Sequence, residues 1–257
     1  MKDFSFPIEG TPKISLRLPA GEARIVEGEA GTVIVQLQGK SSTVDRFVVE
    51  ARGDEIVIEP ERGGGGRWTS VDVTIRCGAP PDARARLAAA DFRADRSLAS
   101  AHIESASGDV DLQDVSGDAT VRSASGDIRL RAVGGDLEVA SASGDLRAES
   151  VDGLSTLKTM SGDVYIADAG GEVTAKSVSG EISVPRFHGS WFDAKTMSGD
   201  VTIGVVPGRK FEVSFQTLSG DVRTDFPVGQ GEGASARLAV KTVSGDINVQ
   251  GAPERQN

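Results

Sequence analysis

Three octapeptides near the middle of the chain begin with the same five residues and follow one another at a constant interval. They are SASGDVDL at Ser105–Leu112, SASGDIRL at Ser123–Leu130 and SASGDLRA at Ser141–Ala148. A fixed short period predicts an array of stacked units, none of which can bury its apolar face alone. This repeat constrains the fold more than any other feature of the sequence.

Each 18-residue repeat consists of two nine-residue halves. Counted from the acidic residue of each motif, the halves recur from Asp82 to Ser190 and then slip by one residue to Asp200. The first and third residues after nearly every mark are apolar, which indicates a short strand with one face in the core. The apolar residues at the sixth position are also predicted to point inward, after a turn: Ala106, Val115, Ala124, Val133, Ala142, Val151, Met160, Ala169 and Val178.

These patterns predict an all-β fold, a single-stranded parallel β-helix, or β-solenoid, with about 18 residues per coil. Residue i stacks on the equivalent residue of the next coil at about 4.8 Å, and a right-handed coil is the default for parallel connections. We predict a β-strand cap at 1–81 that merges into the solenoid, with a hairpin at Arg52–Glu55 and a flexible loop at Pro60–Trp68. Regular coils follow at 82–200. Coils with long hairpin arms are predicted at 201–250, where the motif spacing stretches, and a disordered tail at 251–257.

The Ser-Gly-Asp motif is primarily interpreted as a corner of the coil. Glycine adopts positive φ without steric cost, and Ser and Asp side chains bond to backbone groups in turns. The serines before the glycine form one stacked column, and the hydroxyl residues two positions earlier, from Ser105 to Thr196, form a second. The structural turn glycines are Gly108, Gly126, Gly144, Gly162, Gly180, Gly199, Gly220 and Gly245.

The acidic residues of the motif suggest an alternative, cation-binding role. Two carboxylates about 5 Å apart repel each other by roughly 1 kcal/mol in water, which a bound cation would offset. However, only one glycine precedes each acid, so the cage of six to eight oxygens that Ca²⁺ requires is not evident. The candidate metal ladder is Asp109, Asp127, Asp145, Asp163, Glu181 and Asp200.

Charge and cysteine content exclude several other classes. The net charge of −10 disfavours nucleic acid and anionic membrane surfaces as partners. Cys77 is the one cysteine, which excludes an intramolecular disulfide, and its alternation with Val73 and Ile75 places it in the core. The sequence begins without a signal peptide and contains no apolar stretch for membrane insertion, so a cytoplasmic location is expected for the chain as written. No cofactor and no catalytic residue is predicted.

The one-residue slip near Asp200 marks a break in the array. His188, Trp191, Phe192 and Asp193 cluster there, either as a ligand site or, as we favour, as bulky side chains that plug a widened coil. His102 is predicted to face solvent between two inward residues. Neither histidine has the partners of a metal site or a catalytic triad, and a polysaccharide-active enzyme remains only a remote alternative.

The repeated corners, together with EARIVEGEAGTVIVQLQG and VDVTIRCGAPPDAR, resemble the DUF4097 family of β-strand-repeat proteins, described as putative adhesins. The resemblance covers roughly Phe4 to Val249. It implies a single-stranded parallel β-helix without enzymatic activity and an association with the cell envelope.

We therefore predict a non-catalytic structural or interaction module of the adhesin type, which binds an unidentified protein or glycan. The predicted contact surface is the pair of arms at Pro207–Arg209 and Pro227–Ser235. Self-association of the solenoid end to end is a further option, because open ends of a solenoid can stack. A Ca²⁺-binding solenoid is the alternative function.

Overall fold

A computed structural model of the chain describes residues 1–61, 69–206, 210–225 and 235–252. Several predictions fall outside these residues. They concern most of the loop at Pro60–Trp68, the arm at Pro207–Arg209, residues 227–234 of the second arm, and residues 253–257 of the tail.

The chain forms two compact units, Met1–Arg129 and Leu130–Asn257. The first contains a four-residue helix, α1 (Ser41–Val44), and the strands β1 (Lys2–Pro7), β2 (Lys13–Glu27), β3 (Thr32–Gly39), β4 (Phe47–Arg52), β5 (Glu55–Pro60), β6 (Val71–Cys77), β7 (Asp82–Ala94), β8 (Ser100–Ser107), β9 (Val110–Val115) and β10 (Ala119–Ser125). Strand β11 (Ile128–Val133) lies at the division.

The second unit contains strands of four to seven residues and one of three. They are β12 (Leu137–Ser141), β13 (Leu146–Val151), β14 (Ser155–Thr159), β15 (Val164–Ala169), β16 (Val173–Lys176), β17 (Ile182–Phe187), β18 (Trp191–Lys195), β19 (Val201–Val205), β20 (Lys210–Gln216), β21 (Val222–Thr224), β22 (Ser235–Lys241) and β23 (Ile247–Gly251).

The N-terminal strands mix two pairing directions. β1 pairs with β3, and β3 with β6, in antiparallel fashion, and β4 and β5 form the predicted hairpin around Gly53. The long strand β2 pairs in parallel with β5, β6 and β7. The antiparallel pairs thus lead, through β2, into the parallel coils of the first unit.

Parallel pairing in the register of the sequence repeat occurs in both units. In the first unit Ala101 pairs with Ala119, and in the second Leu146 pairs with Val164, which pairs with Ile182. The inward residues of these strands are Val, Ile, Leu and Ala, and they are buried. The predicted all-β parallel solenoid with 18-residue coils is therefore confirmed.

The last coils do not stack in chain order. β22 lies between β18 and β20, and β23 lies between β19 and β21, all in parallel pairs. The coil of 210–225 is thus separated from the coil of 191–205 by the coil of 235–251. Where the sequence predicts hairpin arms, the described residues form parallel strands. The longer motif spacings occur where the chain first forms the outermost coil and then forms the coil that lies beneath it.

The prediction for the sixth position is half wrong. Val115, Val133, Val151 and Ala169 are buried, whereas Ala106, Ala124, Met160 and Val178 are exposed and Ala142 is half-buried. In the buried group, the two residues that precede the apolar residue both point outward. This break in the alternation makes the apolar side chain point into the core. At the Ser-Gly-Asp corners strict alternation continues, so that the preceding hydroxyl residue is inward and the apolar residue is outward.

Cys77 lies in the core of the first unit, as predicted, with no exposed surface. Burial raises the pKa of its thiol to about 11, because the thiolate loses its hydration, and the nearby Arg96 offsets only part of this effect. The thiol is therefore protonated at neutral pH, which makes it a core residue without the reactivity of an exposed cysteine.

Candidate interaction surface

The corner glycines combine an unusual backbone conformation with a close approach between layers. All eight have φ between +110° and +147°, a range that favours glycine. In addition, a Cβ atom at Gly162 would lie less than 3.0 Å from the carbonyl oxygen of Gly144 in the adjacent coil, and Gly180 stands in the same relation to Gly162. Stacking and turning thus both require glycine at this position.

The acidic residues form a ladder of hydrogen bonds along the corner. Asp145 Oδ1 accepts the backbone N–H of Asp163 at 2.9 Å, and Asp163 Oδ1 accepts that of Glu181 at 2.8 Å. In the last coils the ladder follows the stacking order, because Asp200 accepts from Asp246 at 2.7 Å and Asp246 accepts from Asp221 at 2.9 Å. One carboxylate oxygen of each of these aspartates is therefore used to join successive corners.

The ladder of the first unit repeats this geometry and adds a counter-charge. Asp109 Oδ1 accepts the N–H of Asp127 at 2.9 Å, and Arg129 lies 2.7 Å from Asp127 Oδ2 and 3.7 Å from Asp109 Oδ2. Within the described ranges, no three His, Cys, Asp or Glu side chains converge as a metal site. The Arg129 guanidinium reduces the repulsion between these two carboxylates, which is the repulsion that a bound cation would otherwise offset.

Replacing Asp163 tests the role of the ladder. Asp163→Ala removes the acceptor of the Glu181 N–H, so we expect the free energy of unfolding to fall by about 1 kcal/mol. Asp163→Asn keeps Oδ1 and is expected to cost about half of that or less. Chemical denaturation in EDTA and in Ca²⁺ measures both effects. A rise in wild-type stability with Ca²⁺ that Asp163→Asn abolishes would favour the cation ladder instead.

The hydroxyl residues at the start of the motif close the corner from within. The Thr159 hydroxyl donates to the Ser161 carbonyl at 3.1 Å, and Ser123 donates to the Ser125 carbonyl at 2.8 Å. Both side chains are buried. Each bond gives the buried hydroxyl an acceptor within its own corner.

A row of apolar side chains projects outward from the corners of the second unit. Its members are exposed by 45 to 85%, with Leu218 the most exposed, and bridges between the adjacent serines stack their layers. We call this row the apolar column: Met160, Val178, Met197, Val243 and Leu218, in stacking order. The sequence analysis missed this column because it predicts that the sixth position points into the core. The available signal was the change from alanine at the earlier corners to a large apolar residue at every corner from Met160 onward.

A row of lysines runs beside the apolar column, two residues earlier in each strand. Strand pairing places Lys158, Lys176, Lys195 and Lys241 in successive layers, and all four are exposed. Lys195 lies 2.8 Å from Asp193, whereas the other three form no ion pair with any described residue. We call these four residues the lysine column.

Three parallel columns therefore form one surface of the second unit, which we call the corner face. It consists of the lysine column, the apolar column on the ridge, and, beyond the ridge, the acidic column of Asp163, Glu181, Asp200, Asp246 and Asp221. At the two equivalent corners of the first unit, Ala106 and Ala124 replace the large apolar residues, and Glu104 and Arg122 replace the lysines. The corner face is thus specific to the second unit.

The break in the array does not gather its four candidate residues into one site. Phe192, one of the four, is buried, and its ring centroid lies 5.4 Å from that of the neighbouring buried Phe187, as expected if these two rings fill the widened coil. Trp191 instead lies beneath the Arg237 guanidinium, and Asp193 pairs with Lys195. His188 Nε2 lies 3.0 Å from Asp168 Oδ1, a pair that the sequence did not predict.

A groove of about 580 Å³ crosses the outer face of the first unit. It is lined by polar side chains from five strands, among them Arg17, Arg84 and His102. His102 faces outward, as predicted, and its hydrogen bond to Glu104 lowers the pKa of that carboxyl. Charges of both signs line the groove, and the hydroxyl of Ser100 in its lining donates a hydrogen bond to Asp82 Oδ1 at 2.8 Å.

Comparisons with known proteins agree with this architecture. The family model Toastrack DUF4097 matches residues 82–148 and 130–250. The chain resembles the crystal structure of a putative adhesin from Parabacteroides distasonis, with 11% identity, coverage of 96% of this chain and 97% of that chain, and a TM-score of 0.54.

Two further solved structures cover nearly the whole chain. A putative adhesin from Parabacteroides merdae shares 9% identity, with 95% of each chain covered and a TM-score of 0.44. One from Bacteroides fragilis shares 12% identity, with 96% of each covered and a TM-score of 0.37. No curated protein matches the chain. In the described part of the chain, no helix has the length and apolarity to span a membrane.

Proposed function

Because the chain belongs to the Toastrack DUF4097 family, we propose that it is a non-catalytic β-solenoid interaction module of the adhesin type that acts at the cell envelope. Its contact surface in this proposal is the corner face, and its partner is a protein. The observation that carries the proposal is the apolar column, five exposed side chains in consecutive layers.

Exposed apolar rows of this kind require an explanation. A single exposed apolar side chain is common on a protein surface, but a contiguous row rimmed by polar groups is typical of an interaction site. Folding does not need these side chains, because the same position is alanine at the corners of the first unit. The rigid stacking of the corners also holds the row in place, which reduces the entropy lost on binding.

The two alternatives have weaker support. The acidic column is the candidate for cation binding, but one oxygen of three of its four aspartates, Asp163, Asp200 and Asp246, already accepts a backbone N–H. An enzyme acting on polysaccharides would need an acid and a base held across a cleft. The groove of the first unit contains the carboxylates Glu55, Glu59 and Asp118 among its arginines, but the apolar column is not part of it and is left unexplained by this alternative.

Site-specific photocrosslinking in the native host tests the proposal. A photoreactive amino acid replaces Met197 in the apolar column or, as the matched control, Ala124 at the same corner position of the first unit. We expect a discrete adduct, identified by mass spectrometry, from position 197 alone. Excess unlabelled wild-type protein should suppress it, whereas the variant Met160→Ser/Val178→Ser/Leu218→Ser should not. No adduct from position 197, or equal adducts from both positions, would contradict the proposal.

A further inference from the structure

We propose that the partner of the corner face is a second copy of this chain, bound side by side about a twofold axis parallel to the stacking direction of the coils. The inference rests on the proposed function, since it uses the same surface, and adds the identity of the partner. It is carried by the order of the three columns across the face and by their common repeat distance.

The order of the columns makes the face complementary to itself. The lysine column lies on one side of the apolar ridge, and the acidic column lies on the other. Rotation by 180° about an axis that runs along the ridge exchanges the two sides. The lysines of one copy then face the acids of the other, while the two apolar columns meet in the middle. Such an interface is isologous and closed, as in most homodimers.

The repeat distance also selects a second copy. The side chains of each column are separated by the strand spacing of about 4.8 Å, so that five layers extend over about 19 Å. A partner must present apolar groups and acids at the same interval to match the four layers that carry a lysine; in the fifth layer Gln216 takes the place of the lysine, and Lys195 also pairs with Asp193 of its own copy. With the axis parallel to the ridge, layers at equal height meet, so that Lys176 of one copy faces Glu181 of the other.

Charge argues against an anionic lipid surface as the occupant. Exposed lysines beside apolar side chains are typical of membrane-surface binding. Here, however, the acidic column on the other side of the ridge would face the same headgroups, and the chain carries a net charge of −10. A second copy uses both charged columns, whereas an anionic membrane uses one and is repelled by the other.

The size of the face predicts a weak dimer. With a height of about 19 Å and a width of about 13 Å, two faces cover on the order of 500 Å² in total, within the range of weak and transient contacts. A dissociation constant of about 100 µM is therefore expected. Because the lysines and acids meet near solvent, the constant should rise several-fold when salt is raised from about 0.05 M to about 0.5 M.

The geometry allows a test by charge exchange. Lys176→Glu places like charges opposite each other in both halves of the homodimer, and Glu181→Lys does the same with the opposite sign. In a mixture of the two variants, one half of the heterodimer carries the exchanged pair and the other half keeps the native pair. Both residues are exposed, so neither change should unfold the protein, which circular dichroism can verify.

Sedimentation equilibrium between about 10 µM and about 1 mM protein measures the association. We expect wild-type protein to dimerise, each single variant to lose at least tenfold in affinity, and the equimolar mixture to regain most of it. Lys40→Glu, an exposed change of the same charge in the first unit, is the control and should leave the dimer intact.

Other outcomes would overturn the inference. They are a monomer throughout, a dimer that neither variant affects, or no recovery in the mixture. Binding of the wild-type monomer to vesicles of phosphatidylcholine with phosphatidylglycerol would assign the face to a membrane. A monomer that still gives a position-197 adduct with a different protein would retain the proposed function and exclude the second copy.

Discussion

Gly162→Ala is expected to destabilise the second unit by about 4 kcal/mol or more. The added Cβ would meet the carbonyl oxygen of Gly144 well inside van der Waals contact, at a residue whose φ is +120°. The strain of that φ costs of order 1–3 kcal/mol. Relief of the overlap requires that two coils separate, which weakens their backbone hydrogen bonds and their core contacts. Urea denaturation monitored by circular dichroism measures the loss.

Two glycine controls separate the causes. Gly31 has a φ of +75° with no atom near the position of its Cβ, so Gly31→Ala tests backbone strain alone. Gly171 lies against the carbonyl of Gly153 without a positive φ, so Gly171→Ala tests the close approach alone. We expect Gly31→Ala to cost about 1 kcal/mol and Gly171→Ala to cost clearly more. If Gly162→Ala costs no more than Gly31→Ala, the corners are not held by close stacking.

The same corner shows what the sequence could predict. Its regular period determines which residues stack, so the parallel register from Leu146 to Val164 to Ile182 followed from counting. The direction of the Met160 side chain could not be predicted from the sequence, because it depends on whether the strand keeps its alternation or bulges before the turn. Glycine and hydroxyl residues permit both paths, and only packing against neighbouring coils decides between them.

The order of the last coils was also beyond sequence reasoning. The coils of 210–225 and 235–251 both carry the motif, and either could stack on the coil of 191–205. Apolar content points both ways. Ile247 and Val249 of the inner coil pair with Val222 and Thr224 of the outer coil, but Phe211 and Phe215 of the outer coil pair with Ala236 and Val240 of the inner coil. The composition of the two coils therefore does not determine which of them lies inside.

Phe192→Ala is expected to destabilise the second unit by about 3–5 kcal/mol, the usual cost of removing a fully buried aromatic side chain. Phe192 has no exposed surface, packs edge to face on Phe187 with an interplanar angle of 74°, and pairs with Val173 on one side and Leu238 on the other. The regular step between coils lengthens by one residue at this pair, so we expect that neighbouring coils cannot close over the cavity without a shift in backbone.

Two further changes provide the comparison for Phe192→Ala. Phe192→Leu keeps most of the apolar volume and should cost about 1.5 kcal/mol or less. Trp191→Ala removes an outward ring that contacts Arg237, and should cost about 1 kcal/mol or less. Denaturation of the three variants therefore distinguishes a core plug from a ligand site. Equal losses for Trp191→Ala and Phe192→Ala would contradict the plug, because only the inward ring fills the widened coil.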